Sequence, residues 1–165
     1  MASSRVRSAL GSGLFLVVAP GVVAGLIPWW LTGWEAGTTW PPLQLLGALL
    51  LGAGVIVLVD AFVRFVVEGI GTPAPIAPTQ RLVVGGLYRH VRNPMYLAVG
   101  ATIIGQALLL GRPILLLYSA GFAVAVFAFV RGYEEPTLTR QFGARYEEYR
   151  RAVPGWWPLR RPWRG

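Results

Sequence analysis

The chain has no cysteine and a single histidine among its 165 residues. That removes disulfide frames, iron–sulfur clusters, thiolate zinc sites, bis-histidine haem and a cysteine nucleophile. Lysine is absent too, so the basic complement is fifteen arginines against seven acids, a net charge of +8. Charged residues make up only 13%, about half the roughly 25% of a soluble domain. Apolar residues, at 55% of the chain, fill the difference. The length allows one domain and leaves no room for a nucleotide-binding domain beside a substrate domain. In so apolar a chain a basic excess points first to the cytoplasmic face of a membrane. The arginines sit between apolar stretches and form no basic domain of their own, so no nucleic-acid partner is expected.

Four long uncharged runs stand out, at 9–31, 43–59, 93–111 and 113–130. Each is long enough for a hydrocarbon core of about 30 Å at a rise of about 1.5 Å per residue. Asp60, Arg64 and Glu68 interrupt an apolar continuation to Val67, which predicts a second helix extending beyond the lipid. The pattern predicts an all-α integral membrane helical bundle of about four transmembrane helices, with residues 1–165 as one membrane domain and 1–79 as its front helices. The first run lacks a clear A-x-A cleavage site and reads as a retained helix rather than a signal peptide. Two arginines precede the first run, four lie between the second and third, and eight follow the fourth, while the opposite loops hold only Arg112. The positive-inside rule then places both termini and segment 60–92 in the cytoplasm. The arginine-only basic set and the Ala/Gly/Pro richness fit a high-GC bacterial genome and hence a bacterial plasma membrane. Trp29, Trp30, Trp34 and Trp40 would form the outer aromatic belt, and Trp156, Trp157 and Trp163 the inner one. The Gly21/Gly25 and Gly47/Gly54 pairs predict close helix packing.

Only Gly111, Arg112 and Pro113 separate the third and fourth runs, which predicts a tight antiparallel hairpin whose far ends meet. At one far end stands Tyr88-Arg89-His90-Val91-Arg92-Asn93-Pro94-Met95-Tyr96, and at the other Arg131-Gly132-Tyr133-Glu134-Glu135-Pro136. Asn93 is a favoured N-cap and Pro94 suits a first helical position, so a helix start with free N–H groups lies beside Arg89 and Arg92. That combination suits a carboxylate or phosphate. The same arginines could instead touch only lipid headgroups, His90 could be a structural hydrogen bonder, and Tyr88 and Tyr96 could be interface aromatics. Glu134 and Glu135 fall where a helix C-terminus disfavours negative charge, and Pro136 predicts a chain break. Acids at such a boundary are functional candidates, or else ion-pair partners of Arg89, Arg92 or Arg131 that fix the hairpin. Beyond Pro136, Leu138, Phe142, Tyr146, Tyr149 and Val153 form the apolar stripe of a C-terminal amphipathic interfacial helix, with Arg140, Arg145, Arg150 and Arg151 on its polar flanks.

The G-x-Y-x-x-x-R-[HN]-P-x-Y pattern at Gly86 to Tyr96, the Glu134-Glu135-Pro136 string, and F-G-x-x-Y-x-x-Y at Phe142 to Tyr149 followed by Val153-Pro154 resemble the integral membrane methyltransferases. That superfamily includes the isoprenylcysteine carboxyl methyltransferases and the phospholipid (phosphatidylethanolamine) N-methyltransferases. The resemblance covers roughly residues 80–158. It implies that this stretch is a cofactor-binding hairpin and interfacial helix, taking S-adenosylmethionine from the cytosol and a lipid or other hydrophobic methyl acceptor, amine or carboxylate, from the bilayer. By the same likeness Tyr88, Arg89, His90, Arg92, Asn93, Pro94, Tyr96, Glu134 and Glu135 would line the cofactor site, with His90, Glu134 and Glu135 as catalytic candidates and no metal. The isoprenylcysteine enzymes usually carry His where this chain has Asn93, and its N-P-M-Y and E-E-P strings are closer to the phospholipid enzymes.

A sulfonium methyl is already activated, so the expected reaction needs positioning and exclusion of water more than a metal. A carboxylate acceptor needs no base, whereas an ammonium acceptor must first lose a proton, for which Glu134, Glu135, His90 or a tyrosine are candidates. Competing readings are a small four-helix membrane transporter, which would favour a carboxylate inside a span, a non-catalytic membrane scaffold, and a relative of the NADPH-binding sterol reductases.

Overall fold

The computed structural model describes residues 18–69 and 81–165. The predicted start of the first span, with Arg5 and Arg7, lies outside the described residues. Every regular element among the described residues is helical: α1 (Val18–Thr32), α2 (Pro41–Gly69), a 3₁₀ turn (Gly86–Arg89), α3 (Pro94–Leu110), α4 (Ile114–Phe129), α5 (Glu135–Phe142) and α6 (Ala144–Ala152). Two helical runs, Pro41–Arg64 and Ile114–Phe142, are long and apolar enough to cross a membrane, and Val18–Thr32 and Pro94–Leu110 are shorter apolar helices. α2 continues past Asp60 as the sequence predicts, and α3 begins at Pro94. The chain divides into two compact units, an apolar one of residues 17–59 and 95–128 and an arginine-rich one that includes 60–94 and 129–165.

In the apolar unit, α3 and α4 form the predicted hairpin: Val99, Ile103 and Ala107 of α3 cluster with Leu115 of α4 and Ala24 of α1. α2 and α3 touch backbone to backbone at glycine. A Cβ at Gly47 would come within 2.7 Å of the Gly105 carbonyl oxygen, and one at Gly105 within 2.6 Å of the Leu51 nitrogen. One at Gly54 would meet Thr102 Oγ1 at 2.6 Å. Such close approach is what small residues permit between helices in lipid. Gly21 and Gly25 were expected to pack likewise, but a Cβ at either meets nothing within 4 Å.

α1 contains a π-turn at Val22–Leu26, closed by the Ile27 N–H on the Val22 carbonyl. Pro28 follows two residues after this turn and has no N–H to give the carbonyls of Val23 and Ala24. In an apolar setting each orphan carbonyl needs another donor. The Tyr118 hydroxyl donates to Val23 O at 2.7 Å, and Gln106 Nε2 donates to Ala24 O at 2.6 Å. Trp34 Nε1 completes the chain by donating to Gln106 Oε1 at 3.2 Å. Trp29, Trp30, Trp34 and Trp40 are all exposed, as an aromatic belt requires.

In the arginine-rich unit several expectations change. The chain does not break at Pro136. A second π-turn, Val130–Glu134, closes through the Glu135 N–H on Val130 O, and Glu135 keeps helical angles (φ −59°, ψ −47°). The wider turn absorbs the missing proline N–H, so the helical run continues to Phe142. Glu135 therefore lies inside a continued helical run and not at a helix C-terminus. The single amphipathic helix expected over 138–153 is two helices, split at Gly143, whose φ of +53° suits glycine. Its apolar stripe is also spent inside the protein: Tyr146, Tyr149 and Val153 form a core with Leu82, against which Leu138, Phe142, Leu159 and Trp163 pack. Trp163 thus leaves the predicted inner belt to lie against Tyr149, with ring centroids 5.4 Å apart, whereas Trp157 is exposed.

Candidate functional site

The two polar clusters meet in the arginine-rich unit. Arg92 Nη1 donates to Glu135 Oε1 at 2.7 Å across 43 residues of sequence, with both side chains almost wholly buried. Glu135 Oε2 also faces Arg131 at 3.8 Å and Arg150 at 3.9 Å. Tyr146 joins the pair by accepting a hydrogen bond from Arg92 Nη1 at 3.1 Å. Burial pulls the Arg92 guanidinium down, but the Glu135 carboxylate and the Tyr146 oxygen together outweigh it, so its proton is held more firmly than in water. Burial pushes the Tyr146 hydroxyl up, against the opposing effect of Arg92, and pushes Tyr149 further. Both tyrosines are neutral donors and acceptors at physiological pH.

Beside this clasp lies a small cleft of about 50 Å³. Tyr88, Arg92, Asn93, Glu134, Glu135, Tyr146 and Tyr149 supply its polar lining, and Leu82, Val83, Val130 and Leu138 its apolar wall. Asn93 is buried, and its Nδ2 has no hydrogen-bond partner. A buried amide donor left unpaired costs about 1–3 kcal/mol, so it is a group that a ligand acceptor would satisfy. Asn93 sits immediately before Pro94, where α3 starts, so the helix entry fixes its position.

Five of the residues singled out from the sequence, Tyr88, Arg92, Asn93, Glu134 and Glu135, line one cleft. Arg89 and His90 do not line it. Arg89 Nε donates to Trp163 O at 2.7 Å, and His90 Nδ1 lies 2.8 Å from Leu159 O. A carbonyl only accepts, so Nδ1 carries the imidazole proton. Pro94 begins α3, and Tyr96 belongs to the apolar unit. Tyr146 and Tyr149 were read as members of the apolar stripe and of the F-G-x-x-Y-x-x-Y pattern, with no place in the site, yet their hydroxyls are working groups: Tyr149 donates to Tyr88 O at 2.6 Å. The Y-x-x-Y spacing carried that signal, since residues three apart share a helix face. Among the described residues no group of three or more His, Asp or Glu could hold a metal ion.

The cleft is built from the segment that ends at Pro94 and the helices that follow Val130, and the phospholipid methyltransferase family matches residues 43–145, which include most of it. The chain belongs to that family. Over 78 residues it is also 35% identical to the protein-S-isoprenylcysteine O-methyltransferase of Schizosaccharomyces pombe, a match that covers 47% of this chain and 33% of that protein. The chain thus spans about a third of the length of that relative. No solved structure matches the chain. Membership makes methyl transfer to a lipid-like acceptor the activity to test against the cleft, and it accords with the apolar helices.

Proposed function

We propose that this protein is an integral membrane methyltransferase that uses S-adenosylmethionine to methylate a lipid or other hydrophobic acceptor at the cytoplasmic face of a bacterial plasma membrane. The observation that carries the proposal is the orphaned Asn93 amide in a cleft that also presents carboxylates. The amino-acid end of S-adenosylmethionine bears a carboxylate and an ammonium. Asn93 Nδ2 would donate to the first and Glu134 would accept from the second, within a space suited to that end of the molecule. When bound, the cofactor supplies an activated methyl on sulfur. The chain's own residues bind and orient it, and the buried Arg92–Glu135 clasp keeps the cleft in shape and water out. In the same proposal α1 and α3 cross the membrane together with the two longer runs, giving four spans with both termini in the cytoplasm.

The test is calorimetric titration of the detergent-purified protein with S-adenosylmethionine, with NADPH as the control ligand, beside Asn93→Leu and Glu134→Gln. Asn93→Leu removes a donor that has no partner in the protein together with the oxygen that caps a helix start, so its stability should fall by no more than about 1–2 kcal/mol. Its binding should be lost. Saturable binding of S-adenosylmethionine that both variants weaken supports the proposal. A folded wild-type protein that binds none, with lipid restored, refutes it and favours a non-catalytic scaffold.

A further inference from the structure

After α6 the chain runs back along the segment Arg89–Arg92 as an extended strap, Val153 to Trp163, fastened by paired hydrogen bonds. Trp163 N–H donates to Arg89 O at 2.9 Å, and Arg89 Nε returns a bond to Trp163 O at 2.7 Å. Leu159 N–H donates to His90 O at 2.8 Å, and His90 Nδ1 returns one to Leu159 O at 2.8 Å. Arg92 gives two bonds, from its backbone N–H to Pro154 O at 3.0 Å and from Nε to Val153 O at 2.9 Å. Gly155 is buried beneath the same residues: a Cβ there would lie 3.2 Å from Arg92 Nη2 and 3.4 Å from Asn93 Nδ2. The strap lies beyond residue 145, where the family match ends.

We infer that this strap is a positioning element of the site. None of its residues lines the cleft, yet it holds from behind the residues that deliver Arg92 and Asn93 into it. Nε of Arg92 is anchored on Val153 O, so the rest of the guanidinium is aimed at Glu135 and Tyr146. The buried Gly155 leaves the Asn93 amide the space it occupies. Arg89 and His90, which the sequence pattern set among the cofactor ligands, then act through the strap rather than by touching a ligand. Each of these bonds uses a strap main-chain group, so a substitution that removes one N–H separates fastening from side-chain packing.

This inference rests on the cofactor reading, and the experiment separates the two. Leu159→Pro deletes the N–H that bonds His90 O, whereas Leu159→Ala keeps it and trims more of the side chain. Both full-length variants and wild type are measured in mild detergent by hydrogen exchange of the peptide containing Arg89–Arg92, which needs no ligand, and by titration with S-adenosylmethionine. Leu159→Pro should speed exchange of the Arg92 amide and weaken binding by about tenfold or more, as misplacement of binding groups does. Leu159→Ala should stay near wild type in both. Equal weakening by the two variants, or wild-type affinity in Leu159→Pro despite fast exchange, would overturn the positioning role in favour of simple packing. Unchanged exchange in Leu159→Pro would refute the fastening itself. Absence of binding by wild type would overturn the cofactor reading and the inference with it, and the wild-type titration alone identifies that outcome.

Discussion

Glu135→Gln isolates the clasp at the centre of the arginine-rich unit. The carboxylate is almost wholly buried and has Arg92 at 2.7 Å, Arg131 at 3.8 Å and Arg150 at 3.9 Å. Removing one partner of a buried pair costs about 3–5 kcal/mol, because it strands the other charge. Glutamine keeps an acceptor for Arg92 Nη1, and Arg92 keeps Tyr146 and Val153 O, so the expected loss lies near the lower end, about 3 kcal/mol. Glu134→Gln, at a less buried position, should cost less than Glu135→Gln. Unfolding in mixed detergent micelles, followed by tryptophan fluorescence, measures both. A double-mutant cycle with Arg92→Met should show the two single losses failing to add by about 2 kcal/mol, since both delete one interaction. Equal stability losses in Glu134→Gln and Glu135→Gln, or additive losses in the cycle, would refute the clasp.

Two further predictions use controls the chain itself provides. Gly47→Ala sets a methyl against the backbone of α3 and should destabilise by about 1–3 kcal/mol, whereas Gly52→Ala, with nothing within 4 Å and on the same helix, should be neutral or gain about 0.5–1 kcal/mol of helix propensity; the same micellar unfolding assay ranks them. The Tyr149 hydroxyl donates to Tyr88 O and is pushed up by burial. Its folded value lies above the unfolded one, so its contribution is complete below about pH 10 and is lost as pH rises beyond it. Tyr149→Phe should therefore be less stable than wild type at pH 8 by about 1–3 kcal/mol, for the Tyr88 carbonyl it strands. The gap should narrow above pH 10, and a gap that stays constant there would contradict the assignment.

What the sequence made legible is what local rules control. The uncharged runs, the three-residue link and the Asn93-Pro94 helix start require only periodicity, length and capping, and the meeting of Arg92 with Glu135 follows from the tight hairpin. What it hid depends on partners far along the chain. Arg89 and His90 read as ligands because nothing near them announces that Trp163 and Leu159, 74 and 69 residues on, take up their side chains. The reading of Pro136 as a break went wrong for a reason that recurs at Pro28. In both places a π-turn ends two residues before the proline, so the helix has already shifted its bonding from i−4 to i−5 when the missing N–H arrives. The proline then leaves carbonyls without an amide partner while the helix goes on. In α1 those carbonyls hold Gln106 and Tyr118 and so join three helices of the apolar unit. Before α5 the same device keeps Glu135 inside a continuing helix instead of at a helix end, and three arginines gather on it there. A Glu-Glu-Pro string ahead of a polar helix is therefore better read as a continued helix with a widened turn than as a stop, and that change alone turns two misplaced acids into a clasp and a cleft.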